Sequence, residues 1–145
     1  MNGMTIIVKK VTQLICGLVF MYGLYIISHG HLTPGGGFAG GAIIAGAFIL
    51  LILAYGSEVV NLKKEETQTA MTESLALIVI MLLAVAGLLF GTHVFFNNYL
   101  PEGKIGDLLS AGVIPVYNIF VGVEVAAALL TIFLGLLIYK EEVES

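Results

Sequence analysis

The stretch His29-Gly30-His31-Leu32-Thr33-Pro34-Gly35-Gly36-Gly37-Phe38 separates two long apolar runs, and the arrangement of the whole chain follows from it. Glycine has no Cβ, so it adopts positive φ angles at little cost and lets a second backbone approach closely. The three glycines follow Pro34, which fixes its own φ and keeps Thr33 extended. The stretch therefore predicts a sharply shaped turn between two helices.

The chain around this turn is far more apolar than a soluble domain. Of its 145 residues, 59% are hydrophobic and 11% are charged, and the mean hydropathy is +1.04. In an average soluble domain roughly half of the residues are apolar and about a quarter are charged. The composition therefore indicates an integral membrane protein in contact with the lipid bilayer. The formal net charge is -4 and no basic patch stands out, so nucleic acid is not an expected partner.

Four apolar runs are each long enough to cross a bilayer core of about 30 Å as a helix. They span residues 11–28, 38–56, 74–92 and 112–139 of a single membrane domain, 1–145. Lys9 and Lys10 precede the first run as in a signal peptide, but the run is long and no A-x-A-like cleavage site follows. We therefore expect a retained helix, and an all-α integral membrane protein with four transmembrane helices.

Lysine placement predicts the orientation of these helices. With four spans, both termini and the loop 57–73 share one side, and that side holds five of the six basic residues. Lys104 lies in the loop 93–111 on the other side. The positive-inside rule therefore predicts cytoplasmic N and C termini in a multi-pass protein of the cell membrane, with the glycine-rich turn outside.

Small residues recur at four-residue spacing in the second run and again at Gly87 and Gly91 in the third. Lipid tails give helices no hydrophobic reason to associate, so small faces that allow close packing matter in membranes. The second helix is therefore predicted to be mainly a packing surface, within the chain or against a partner subunit. The residues assigned to the turn and to this packing are Pro34, Gly35, Gly36, Gly37, Phe38, Gly40 and Gly41.

Glu124 is the ionisable side chain that lies clearly inside a predicted span. Inserting an acidic residue near the centre of a membrane helix costs roughly 2.5–3.5 kcal/mol, so we expect Glu124 to face protein or water. Ala128, Thr131 and Gly135 continue its face with small side chains, which a large neighbour could cover. Glu124 is thus a candidate for a proton or cation path; the alternative is a hydrogen-bonded carboxyl that docks the helix onto another subunit.

Pro115 and Asn118 precede Glu124 in the same run. Proline is tolerated in a first helical turn, so Pro115 is predicted to begin the helix. At 100° per residue, Asn118 lies about 240° around the helix from Glu124, so the two do not share a face. Asn118 is therefore predicted to hydrogen-bond a neighbouring helix.

His29 and His31 raise the question of a metal site. Two imidazoles one residue apart could chelate a transition metal, but zinc sites normally need at least three protein ligands and the chain adds His93 alone. We therefore expect no metal. Because imidazole titrates near neutrality, His29 and His31 join Glu124 as candidates for an ion or proton path, with helix capping as the alternative. The sequence contains neither a Ser/His/Asp order nor paired carboxylates at a plausible catalytic centre, so it does not predict an enzyme.

The segment His29-Gly30-His31-Leu32-Thr33-Pro34-Gly35-Gly36-Gly37-Phe38-Ala39-Gly40-Gly41 resembles the signature of the MnhB family, whose members are small subunits of the Mrp multisubunit cation/proton antiporters. The likeness extends over nearly the whole chain in layout, the later half matching in helix number and length. It implies a small non-catalytic component of a large complex that exchanges Na⁺ for H⁺ beside other membrane subunits. It also implies that any redox cofactors are held by those other subunits, so we expect no cofactor in this chain.

The last run departs from the antiporter pattern. Antiporter-type members are expected to carry Phe-Asp-x-Gly-Val where this chain has Ile114-Pro115-Val116-Tyr117-Asn118, followed by Gly122-Val123-Glu124-Val125. This variant is more similar to subunits of archaeal membrane-bound hydrogenase or sulfane sulfur reductase complexes. The resemblance thus implies an energy-transducing subunit that contributes to cation translocation. A purely structural adaptor with no residue in the ion path, and an intramembrane metalloenzyme, are the alternatives.

Overall fold

The computed structural model describes residues 3–56, 62–90, 94–104, 106–107 and 110–144. The ordered elements are four helices: α1 (Ile6–Ser28), α2 (Gly36–Tyr55), α3 (Leu62–Phe90) and α4 (Ile114–Glu144). No strand occurs in this described part of the chain. All four helices are long and apolar enough to cross a membrane, which confirms the all-α membrane class.

The first helix starts earlier than predicted, at Ile6 rather than at residue 11. Thr5 precedes it, and Oγ1 of Thr5 accepts a hydrogen bond from the Val8 amide at 3.5 Å. This bond satisfies one of the amides that a helix N-terminus leaves unpaired. Lys9 and Lys10 therefore lie inside the first helix and not before it.

The third helix corrects the predicted loop 57–73. α3 begins at Leu62, twelve residues before the predicted start at Ser74. The segment 63–73 is rich in Lys, Glu, Gln, Ala and Met, which favour helix whether or not they lie in lipid. The change from polar to apolar residues near position 74 marks the predicted boundary of the membrane span, whereas the helix itself begins at Leu62. Residues 57–61, and the predicted end of the third helix at 91–92, lie outside the described residues.

The fourth helix begins at Ile114 and extends past the predicted end at residue 139 to Glu144. Pro115 occupies its first turn, as predicted. At its far end Leu134 and Leu137 pack with Leu62 of α3 in a buried cluster. This apolar contact holds the polar start of α3 against α4.

The four helices pack in the order α1, α2, α4, α3. α2 lies between α1 and α4, whereas α3 packs chiefly on α4. The outward faces of α1 and α3 are covered with exposed large apolar side chains, including Leu18, Met21, Ile78 and Met81. Such faces are stable next to lipid or another membrane subunit and unstable in water.

The bundle has two distinct ends. At the terminal end, which carries both chain termini, the Met4 amide donates to the Ala54 carbonyl at 2.9 Å, and Lys63 pairs with Glu142 at 3.3 Å. At the turn end, the α1–α2 turn meets the connection between α3 and α4, and His31 lies 3.4 Å from the Asp107 carbonyl oxygen. The predicted orientation places the terminal end in the cytoplasm.

Candidate functional site

The turn that opens α2 is closed by its own hydrogen bonds. The Leu32 amide and the Thr33 hydroxyl both donate to the carbonyl of His29, at 2.8 Å and 3.1 Å. Gly35 and Gly36 then take φ angles of 136° and 65°, a region that costs other residues free energy. The turn therefore has the shape that the sequence predicts, and its glycines are required by its backbone geometry.

The next glycines of the signature bring α2 into backbone contact with two other helices. A Cβ added to Gly40 would lie 2.8 Å from the carbonyl oxygen of Gly23 in α1. A Cβ added to Gly41 would lie 2.5 Å from the carbonyl oxygen of Gly122 in α4, and one added to Gly37 would collide with the Asn118 backbone. These three glycines thus pack within the chain.

Two signature residues take no part in this packing. The Phe38 side chain is 67% exposed, although it is the largest side chain of the signature. Pro34 is exposed as well. Since Phe38 projects from the first turn of α2 into the surroundings of the bundle, it is available to lipid or to a neighbouring subunit.

Asn118 links α4 to the start of α2, which confirms its predicted role between helices. The Gly37 amide donates to Oδ1 of Asn118 at 3.4 Å. Gly35, the residue before α2, makes no side-chain cap, so an amide of the first turn finds its acceptor on another helix. Nδ2 of Asn118 is buried without a partner among the described residues.

We expect Asn118→Ala to lower the unfolding free energy by about 1 kcal/mol, because the Gly37 amide loses its acceptor. Thermal unfolding of the detergent-solubilised protein measures this effect as a lower midpoint. Ile119→Ala is the matched control, since Ile119 is 49% exposed one position further along α4. A midpoint for Asn118→Ala equal to that of Ile119→Ala would contradict the linking role.

The face of α4 that carries Glu124 is covered by α3 of the same chain. Oγ1 of Thr131, seven residues and two helical turns beyond Glu124, lies 2.9 Å from Oγ1 of Thr69. One turn further, a Cβ added to Gly135 would lie 3.8 Å from Oε1 of Glu66. The large neighbour anticipated for this small face is therefore α3, and docking onto another subunit is not needed to cover it.

A polar seam runs along this interface. Contacts across the interface are made by Glu66 and Thr69 of α3 and Thr131 of α4. Helical spacing places Glu73 on the same face of α3 and Glu124 on the same face of α4, and all five side chains are half-buried. Spacings of three and four residues place the α3 members on one helical face. The sequence reasoning missed them because it assigned 57–73 to a loop, although the same spacings are visible in the sequence.

Glu124 lies deep in this seam. It is ten residues past the start of α4, which is about 15 Å from the turn end along the helix. None of the described hydrogen bonds or ion pairs involves its carboxyl group.

The two predicted histidines lie at the turn end, away from Glu124. The ring of His29 stacks on Tyr25 at a centroid distance of 4.2 Å, and its Nδ1 lies 3.1 Å from the Tyr25 carbonyl oxygen. His29 therefore caps the end of α1, the alternative that the sequence left open. His31 contacts the Asp107 carbonyl through Nε2, while its Nδ1 is buried and unpaired among the described residues.

No group of three or more His, Cys, Asp or Glu side chains comes close enough to hold a metal ion within the ranges that the structure describes. His93 lies outside those ranges. The predicted path residues are likewise not brought together as one centre. Of the predicted path residues, Glu124 is half-buried on the face of α4 that meets α3, and His31 has one unpaired ring nitrogen at the turn end.

The chain is thus a multi-pass helical membrane protein. It has four apolar helices, close glycine contacts of α2 with α1 and α4, and a half-buried acidic seam between α3 and α4. Residues 7–131 match the family described as the domain related to the MnhB subunit of Na⁺/H⁺ antiporter. The chain belongs to this family. The resemblance seen in the glycine-rich signature is thereby confirmed.

Individual relatives agree with this assignment. An uncharacterized protein of Methanocaldococcus jannaschii, MJ1307, is 39% identical over 121 residues, covering 79% of this chain and 45% of that protein. A Staphylococcus aureus protein named as antiporter subunit mnhB2 is 42% identical over 53 residues, covering 37% of this chain and 38% of that protein.

A solved structure is similar in fold and in sequence. It is a chain in the structure of the membrane-bound sulfane sulfur reductase (MBS), an archaeal respiratory membrane complex. The TM-score is 0.72 at 32% identity, covering 89% of this chain and 56% of that chain. This chain spans about half the length of the relatives that it matches.

Proposed function

We propose that this chain is a non-catalytic membrane subunit of an antiporter-type module in a redox-driven respiratory membrane complex. The observation that carries the proposal is the family match over residues 7–131, together with a structural match at TM-score 0.72 to a chain of such a complex. The module exchanges Na⁺ for H⁺, and other membrane subunits and the bilayer surround this chain. Metal and redox cofactors are held by the partner subunits.

The outward faces of α1 and α3 support a place among other membrane subunits. Their large apolar side chains are exposed over most of both helices, and Phe38 adds an aromatic side chain at the start of α2. The five lysines grouped with the termini support a cytoplasmic terminal end. The glycine-rich turn then faces outward, opposite the cytoplasmic ends of α3 and α4.

Within the module, the polar seam around Glu124 is the part of this chain that contributes to ion or proton movement. An acid inside a membrane span is costly to keep, and such acids commonly mark ion or proton pathways. His31 contributes at the turn end through its unpaired nitrogen. His29 contributes less, because its ring is engaged by Tyr25.

The second candidate is a purely structural adaptor. The glycine contacts of α2 with α1 and α4 favour it, because they give the chain a rigid core on which larger subunits could assemble. In this role no side chain of the chain enters the ion path. The two candidates differ in what a substitution at Glu124 does to an assembled complex.

The proposal is tested on the complex purified through an affinity tag on this chain. We expect antiporter-type and redox subunits to copurify, and the complex in liposomes to show Na⁺-dependent proton movement. The control is a preparation from cells lacking this chain. Copurification without Na⁺-dependent proton movement would contradict the exchange function, and isolation of the chain without other subunits would contradict the place in a complex.

A further inference from the structure

A cavity of about 640 Å³ opens at the turn end, between the α1–α2 turn and the first residues of α4. His31 of the turn, Glu102 and Ser110 of the α3–α4 connection, and Val113 and Tyr117 at the start of α4 contribute to its wall. The wall therefore combines residues that are far apart in the sequence. None of the five residues of the polar seam lies in this wall.

Two buried polar atoms of the cavity-lining residues have no hydrogen-bond partner in the described part of the protein. They are Nδ1 of His31 and the hydroxyl oxygen of Tyr117. Leaving such a group buried and unpaired is unfavourable. A hydrogen-bonding molecule in the cavity would remove this cost.

The hydrogen bonds of His31 fix what that partner must be. A backbone carbonyl only accepts, so Nε2 of His31 is the donor toward Asp107, and in the neutral ring Nδ1 is left as an acceptor. The partner must therefore donate to Nδ1. Ser110 cannot serve, because its hydroxyl already donates to the Asp107 carbonyl at 2.6 Å.

Water meets this requirement, since it donates to His31 and both donates to and accepts from Tyr117. At roughly 30 Å³ per molecule, a cavity of this size has room for many waters. The Glu102 carboxylate in the same wall favours positive charge, including an excess proton. A bare Na⁺ fits less well, because hard cations prefer oxygen ligands to an imidazole nitrogen.

We propose that the turn-end cavity is a water-filled proton inlet for the polar seam, with the Tyr117 hydroxyl at its inner side. This inference rests on the proposed function. Tyr117 lies seven residues before Glu124, so both side chains share one face of α4 about 10 Å apart along the axis. Beyond Glu124, the contact between the hydroxyl groups of Thr131 and Thr69 continues the polar face toward the terminal end.

The transfer balances without any further reactant. A cavity water that carries an excess proton gives it to the Tyr117 oxygen and becomes neutral water, while the tyrosine releases its own hydroxyl proton inward and stays neutral. Water between the two turns carries that proton to the Glu124 carboxylate, which becomes neutral. His31 holds the outer water in position through Nδ1.

Hydration of the cavity is tested by thiol labelling of the intact complex. Cys16 is the single cysteine of the chain, so Cys16→Ala provides a background without thiols in this subunit. We expect Val113→Cys, at a position 3% exposed in the cavity wall, to react with a charged, membrane-impermeant methanethiosulfonate. The matched control is Val125→Cys, at a position 8% exposed between helices, which should not react.

The proton role is tested with Tyr117→Phe and His31→Gln in the reconstituted complex. We expect each to slow Na⁺-dependent proton movement at least fivefold, with an unchanged amount of assembled complex. Tyr139→Phe, at an exposed position near the terminal end, should stay within twofold of the native rate.

The outcomes separate the inlet from the proposed function. An unlabelled Val113→Cys, or a native exchange rate in Tyr117→Phe, overturns the inlet even where Glu124→Gln abolishes exchange. A complex that exchanges no ions overturns the proposed function and, with it, the role of the cavity in proton movement. In that case the labelling of Val113→Cys shows only whether the cavity contains water. Labelling together with slowed exchange in Tyr117→Phe supports the inlet.

Discussion

Glu124→Gln is expected to reduce Na⁺-dependent proton movement at least tenfold while leaving the amount of assembled complex unchanged. Glutamine has nearly the same shape as glutamate, so the packing of α4 against α3 is kept. It cannot carry a negative charge, however, and it cannot take up and release a proton near neutral pH. Proton flux into liposomes containing the reconstituted complex, started by a Na⁺ gradient, measures the effect.

Glu142→Gln is the matched control in the same helix. Glu142 lies in the last turns of α4, where its side chain is 62% exposed and pairs with Lys63. An exposed ion pair contributes about 0–1 kcal/mol, so its loss should leave both assembly and transport near their native values. Native exchange in Glu124→Gln would favour the structural adaptor, and loss of the complex in this variant would assign the carboxyl to assembly.

Gly41→Leu is expected to prevent the chain from folding into its bundle. A Cβ at this position would lie 2.5 Å from the Gly122 carbonyl oxygen and 3.0 Å from Cβ of Val125. Both obstacles belong to the α4 backbone or lie next to it, so no flexible side chain can move aside. Overpacking a core costs about 1–3 kcal/mol and occasionally more, and the separation of two helices belongs to the upper part of that range.

The experiment compares Gly41→Leu with Gly46→Leu in the same helix. A Cβ at Gly46 meets no heavy atom within 4 Å, so its leucine should be accepted by the isolated chain. We expect Gly41→Leu to lower the yield of monodisperse protein severalfold and to abolish its cooperative thermal transition. Equal yields and transition midpoints for the two variants would contradict the close packing of α2 on α4.

The helix number and the glycine packing could be predicted because they depend on local composition. Apolar runs of sufficient length have few alternatives to a membrane helix. Glycine at four-residue spacing likewise indicates close helix contact, and Gly37, Gly40 and Gly41 all make such contacts. The spacing does not identify the helix that a glycine face contacts, because α1, α4 and a helix of another subunit would be equally suitable.

The start of α3 and the polar seam could not be predicted in the same way. Assigning polar residues to a loop locates the boundary of the predicted membrane span. α3 extends beyond that boundary, because Leu62 packs against α4. Glu66 and Glu73 were therefore separated from Glu124 in the sequence interpretation. Similarly, the turn-end cavity joins His31 to the connection 76 residues away, a juxtaposition that only the packed bundle reveals.

The packing order divides the bundle into a group of three helices, α1, α2 and α4, and a single further helix, α3. Backbone contacts at glycines hold α1, α2 and α4 close together, so these helices have little room to slide past one another. α3 is attached chiefly to α4, through the cluster of Leu62 with Leu134 and Leu137 and through the contact between Thr69 and Thr131. A shift of α3 would therefore change the spacing of the glutamates while the glycine-locked helices act as the fixed frame.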